Sequence, residues 1–165
     1  MTTVTFKGTT VHLTGTFPSV GQKAPEWTLV NTSLEDRSLK SFGEIKKLLL
    51  IVPSLETSVC ATCTKTFHAK TANRKDLALL VISADLPFAQ KRYSETEKFT
   101  NLNTLSTMRG PDFGKNYGVL IQDGPLKGLC TRAVLLLDEQ DNVLYAELVP
   151  EITKEPNYEK VLALL

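Results

Sequence analysis

Cysteine, histidine, methionine and tryptophan are all scarce in this 165-residue sequence, which holds 3 Cys, 2 His, 2 Met and 1 Trp. Three cysteines are too few, and odd in number, for a disulfide scaffold, so a reducing compartment with buried or reactive thiols is expected. Charge of one sign is lacking as well: 19 basic against 18 acidic residues leave a formal +1. Such a balance offers no field to draw nucleic acid or an anionic membrane, and small-molecule or protein partners are expected instead. No apolar run approaches the ~20 residues that span a bilayer, and the opening MTTVTFKGTT lacks a basic stretch followed by an apolar one. The expectation is a cytoplasmic protein. Repeats, long linkers and composition breaks are missing too, which favours a single domain over residues 1–165. With 42% hydrophobic and 22% charged residues the composition is that of an ordinary globular chain.

The patterning gives an order of elements. Val4 and Phe6, then Val11 and Leu13, alternate with polar neighbours around Gly8, which predicts an N-terminal β-hairpin. A loop through Gly15, Pro18, Gly21 and Pro25 follows. Lys46 to Val52 is a short, nearly uninterrupted apolar run closed by Pro53, the look of a strand covered on both faces. Val59, Cys63 and Phe67 recur every four residues, predicting a helix from Val59 to about Lys70 with Thr57 or Ser58 able to cap it. Leu77 to Ser83 reads as a second buried strand, and Pro87 to Glu97 as a helix with proline in its first turn. Asn101 to Gly128 reads as an insertion with short strands at Thr104 to Met108 and Val119 to Ile121. Ala133 to Leu137 and Val143 to Val149 predict an antiparallel pair, and Asn157 to Leu165 a terminal helix. The order βαβα, insertion, ββα implies an α/β, thioredoxin-like fold whose mixed central sheet is flanked by helices.

Cys60 falls where a buried strand has ended and a helix begins. Unpaired N–H groups and the positive end of the helix dipole point at such a sulfur and favour its thiolate form. Taken alone, Cys60 is equally well a small hydrophobe in a tight turn. Thr57 alone is an ordinary cap, Pro53 a strand terminator, and Arg132 a charged residue guarding the strand that follows it.

Together they stand as PxxxTxxC, and with this motif the sequence resembles the peroxiredoxins. VPSLETSVC, SADLPFAQKRY, STMRG, NYGVLI, LKGLCTRAVLLLD and EITKEPNYE extend the likeness to the bacterial thiol peroxidase subgroup over essentially the whole chain. The resemblance implies a peroxidatic Cys60 whose thiolate attacks a peroxide O–O bond and becomes a sulfenic acid, a chemically sound first step of cysteine oxidation. It implies that Thr57 sets its hydroxyl between sulfur and peroxide, that Pro53 shields the pocket, and that Arg132 donates to the sulfur and the attacked oxygens. It also implies a peroxide substrate, thioredoxin as reductant, a homodimer and no cofactor. Leu86, Pro87 and Phe88 are the expected wall for an organic hydroperoxide's tail.

The sequence departs from the subgroup at Ser94, the place of the resolving cysteine. A serine hydroxyl cannot form a disulfide. Either the serine replaces a native cysteine, or an outside thiol resolves a one-cysteine enzyme, or Cys63 has taken over, since Cys60-Ala61-Thr62-Cys63 is a CxxC. Against the last, residues three apart on a helix hold their Cβ atoms ~5–6 Å apart whereas a disulfide wants ~3.5–4.5 Å. Cys63 also lies on the Val59 and Phe67 stripe, where a buried core thiol is expected, and Cys130 is expected to be unreactive at a strand start. His12 and His68 read as exposed polar residues. Two other functions compete: a thioredoxin-type dithiol reductase using Cys60 and Cys63, and a zinc module using Cys60, Cys63 and His68, which lacks a fourth ligand.

Overall fold

A computed structural model describes all residues 1–165. It opens with the expected hairpin, β1 (Thr3–Phe6) antiparallel to β2 (Thr9–Thr14). Lys7 and Gly8 between them both have positive φ, 50° and 80°, as a two-residue turn matching the strands' right-handed twist requires. Val4, Val11 and Leu13 of the hairpin bury against Ile121 and Ile152 in a small core of their own.

The main sheet is built around β5 (Lys46–Ile51), which together with β6 (Leu77–Ser83) is buried along nearly its whole length. Alternation explains why an apolar run suits both. Leu48, Leu50, Leu79 and Val81 face one core, and Leu49, Ile51, Leu80 and Ile82 the other. The sheet order is β10-β9-β5-β6-β7-β3-β4, with β3 (Leu29–Val30), β4 (Asp36–Arg37), β7 (Leu102–Ser106), β9 (Ala133–Leu137) and β10 (Val143–Leu148). The β5–β6 and β6–β7 pairs are parallel and the β5–β9 and β9–β10 pairs antiparallel, so the expected mixed sheet is present. On one face α1 (Ser58–Thr71) and α4 (Tyr158–Leu162) pack Cys60, Cys63, Phe67 and Val161 onto the sheet. α2 (Pro87–Thr96) adds Tyr93 to the same layer. The other face is covered by Trp27, Leu39, Phe113, Tyr117 and Val119, with α3 (Phe113–Asn116) short and β8 (Leu120–Ile121) joined to β2 rather than to the main sheet.

Two expectations need correction. Asn101 to Gly128 is not wholly an insertion, because β7 is the third parallel strand of the main sheet. Its Asn103 and Thr104 obscured it: the neighbour beyond is the two-residue β3, so β7 does not require a continuous apolar run. Thr57 occupies the N-cap position of α1, but neither it nor Ser58 caps the helix with a side chain. The Thr57 hydroxyl instead donates to the Ser54 carbonyl at 3.2 Å.

The apolar run that predicted β5 contains one buried cation. Lys47 is 1% exposed, and its ammonium meets Asp141 Oδ1 at 2.7 Å. Removing one partner of a buried pair leaves the other charge uncompensated, so Asp141→Asn is expected to cost about 3 kcal/mol in urea unfolding.

Candidate active site

The parallel strands β5, β6 and β7 bring their C-terminal ends to one edge of the sheet, where open α/β sheets place their ligands. There the chain leaves β5 through buried Pro53 and enters α1 by a turn that Asp85 fixes. The Asp85 carboxylate accepts from the Ser54 hydroxyl at 2.6 Å, the Leu55 N–H at 2.8 Å and the Ser83 hydroxyl at 2.7 Å. Ser83 in turn accepts from Gln90 Nε2 at 3.0 Å, which links the turn to α2.

Register brings Arg132 to the same place. β9 runs antiparallel to β5 with Ala133 opposite Ile51, so position 132 falls level with Val52 and beside Pro53. Arg132 is 2% exposed. Its Nη2 donates to Cys60 Sγ at 3.3 Å and its Nη1 to Cys63 Sγ at 3.7 Å, while Nε donates to the Ile152 carbonyl at 3.0 Å. All three arms of the guanidinium are thus used, none of them on a carboxylate. Both sulfurs are fully buried.

The Ile152 carbonyl is itself held. Glu151 accepts from the Thr5 hydroxyl at 2.7 Å and from the Lys7 and Gly8 N–H groups at 3.0 and 3.1 Å. The Ile152 N–H donates to the Thr5 carbonyl at 2.8 Å. The N-terminal hairpin therefore clamps the segment on which Arg132 rests, a role that no local spacing reveals. The Thr5 hydroxyl first, and the Thr153 and Gly8 N–H groups after it, hold the Glu151 carboxyl well below the usual carboxylate range.

Pro53, Thr57 and Arg132 line a cavity of about 350 Å³, whose remaining wall includes Phe6, Leu126, Leu129 and Ile152. These apolar residues come from the hairpin and the loops around β8 and β10, and sequence spacing gave no sign of them. Leu86, Pro87 and Phe88, expected in this wall, are not part of it: Leu86 and Phe88 are exposed at the start of α2. Ser94 lies on α2 outside the cavity, its hydroxyl buried without a hydrogen-bond partner.

The remaining candidates separate cleanly. Burial pushes the Cys130 thiol up to about 12, as an inert thiol requires. Burial also raises Cys63, against the downward pull of a Tyr158 hydrogen bond and of Arg132. His68 does not join the two sulfurs: its Nε2 contacts the Thr100 carbonyl at 2.5 Å and its ring packs on Phe99. No group of three or more His, Cys, Asp or Glu side chains that could hold a metal forms, which removes the zinc reading. His12 is half-buried, with Nδ1 on Asp123 at 2.6 Å. No helix is long and apolar enough to cross a membrane.

Comparison with known proteins agrees with this geometry. Residues 19–162 match the Redoxin family. A thiol peroxidase of Leptospira interrogans, serogroup Icterohaemorrhagiae, serovar copenhageni, is 50% identical over 165 residues, covering 99% of this chain and 96% of the relative. A peroxiredoxin-like protein from Aquifex aeolicus superposes with TM-score 0.92 at 42% identity, over 98% of this chain and 94% of its own. A thiol peroxidase from Chromobacterium violaceum gives TM-score 0.92 at 28% identity with the same coverage. The chain belongs to the redoxin family. Within that family its branch is the thiol peroxidases, which makes it a peroxiredoxin-type peroxidase enzyme with a peroxide as substrate and a thiol as reductant.

The Glu151 clamp has a pH signature. Because folding lowers this carboxyl's pKa, its contribution is complete above the ordinary carboxylate range of about 4.3 and drains away as pH falls below it. Hydrogen exchange at the Lys7 and Gly8 amides is expected to accelerate on acidification beyond the intrinsic pH trend, and Glu151→Gln to flatten that extra dependence.

Proposed function

We propose that the chain reduces hydrogen peroxide and organic hydroperoxides through Cys60. The thiolate of Cys60 attacks the nearer peroxide oxygen, the O–O bond breaks, and the departing alkoxide or hydroxide takes up a proton, leaving Cys60 as sulfenic acid and releasing an alcohol or water. The observation that carries this reading is the 3.3 Å bond from Arg132 Nη2 to Cys60 Sγ beside a cavity walled by Pro53 and Thr57. A buried guanidinium with no carboxylate partner is costly unless an anion joins it, and a sulfur anion is the counter-charge this pocket supplies. The same fork, planar and permanently charged, suits the negative charge that develops on the leaving oxygen. Thr57 steers the peroxide with its hydroxyl, and Pro53 excludes water from the sulfur.

The apolar wall of Phe6, Leu126, Leu129 and Ile152 supports room for an organic tail beyond the O–O bond. Thioredoxin as the particular reductant, a homodimer, a cytoplasmic setting and a single domain over 1–165 belong to the same reading and draw on family membership.

Peroxide consumption under a thiol reductant tests the proposal. Cys60→Ser is expected to abolish it, and consumption that survives this change at the unsubstituted rate would refute the role of Cys60. Thr57→Val, which keeps the shape and removes the hydroxyl, is expected to lower the rate of sulfur oxidation by roughly 10²-fold if that hydroxyl orients the peroxide.

A further inference from the structure

Resolution of the oxidised sulfur is the open step, since Ser94 carries no thiol. Three observations converge on one residue. Arg132 donates to Cys60 through Nη2 and to Cys63 through Nη1, so adjacent nitrogens of one rigid fork hold the two sulfurs side by side in a single buried pocket. Cys130 is in neither contact and opens instead on a different cavity, beside Thr107 and Lys115. The first turn of α1 has no side-chain cap, and bringing Cβ atoms one turn apart to disulfide distance requires that turn to unwind, opening the Ala61 N–H bond to the Thr57 carbonyl.

Resting on the peroxidase reading above, we propose that Cys63 is the resolving thiol. The Cys63 sulfur attacks the Cys60 sulfur, an S–S bond forms, and the S–O bond breaks, the departing hydroxide taking up the Cys63 proton. The balance is sulfenic acid plus thiol giving disulfide plus one water. The peroxide has already supplied the oxidation, and an external thiol returns the two electrons that reopen the disulfide. Burial keeps Cys63 protonated until then, so it does not compete with Cys60 for peroxide. The charged and titratable groups facing it are Cys60, Arg132, Tyr158 and Glu155.

Intact mass after one equivalent of hydrogen peroxide decides the matter, with peptide mapping of any disulfide. The unsubstituted chain and Cys130→Ser are expected to lose two hydrogens as monomers, with the bond mapped to Cys60 and Cys63. Cys63→Ser is expected to gain one oxygen that dimedone captures. A stable sulfenic acid in the unsubstituted chain, or a disulfide involving Cys130 or a second chain, overturns the proposal while leaving the peroxidase reading intact. No oxidation of Cys60 at all overturns both.

Discussion

One buried guanidinium organises this protein. Arg132 has no carboxylate to neutralise it and divides its donors between two sulfurs and a backbone carbonyl. A permanent charge with almost no access to water is unfavourable unless its partners are placed well. Much of the surrounding structure can be read as placing them. The antiparallel register of β9 on β5 delivers the arginine beside Pro53, and the helix α1 delivers Cys60 and Cys63 on consecutive turns. The segment 150–152 delivers the carbonyl, and Glu151 fastens that segment to the N-terminal hairpin. The hairpin lies outside the main sheet, yet Thr5, Lys7 and Gly8 bind it to the segment whose Ile152 carbonyl holds Arg132.

The same constraint sets the two thiols apart. Cys60 stands in the first turn of α1, next to the loop that Asp85 fixes, fully buried behind the Pro53, Thr57 and Arg132 that line the cavity. Cys63 stands one turn further along the helix, its thiol raised by burial. In the proposed reading Cys60 reacts first and Cys63 waits. The third thiol, Cys130, makes no contact with Arg132, and burial raises it.

Much of this was legible in the sequence, and the reasons differ by residue. β5, β6, β9 and α1 announced themselves because burial on two faces, or on one helical stripe, leaves a periodic trace in apolar residues. PxxxTxxC and Arg132 were recognisable only as a constellation, since each residue alone has a commoner structural use. β7 was misread because a strand near the sheet edge tolerates Asn103 and Thr104. The Glu151 clamp was invisible because its partners Thr5 and Glu151 lie 146 residues apart, and the Ile152 carbonyl and the apolar wall of the cavity because they depend on contacts between separate elements that leave no periodic trace. Leu86 and Phe88 were assigned to the wall on character alone, and the start of α2 leaves them facing solvent.

The most direct test of the arginine's part is the rate at which peroxide oxidises Cys60 in a single turnover, compared across Arg132→Met and Arg132→Lys. Methionine fills similar space without charge, and losing the donors aimed at the reacting atoms is expected to cost on the order of 10²–10³-fold. Lysine keeps the charge but not the planar fork, so its rate should lie between the two. Folded Arg132→Met protein that oxidises Cys60 as fast as the unsubstituted chain would contradict the account.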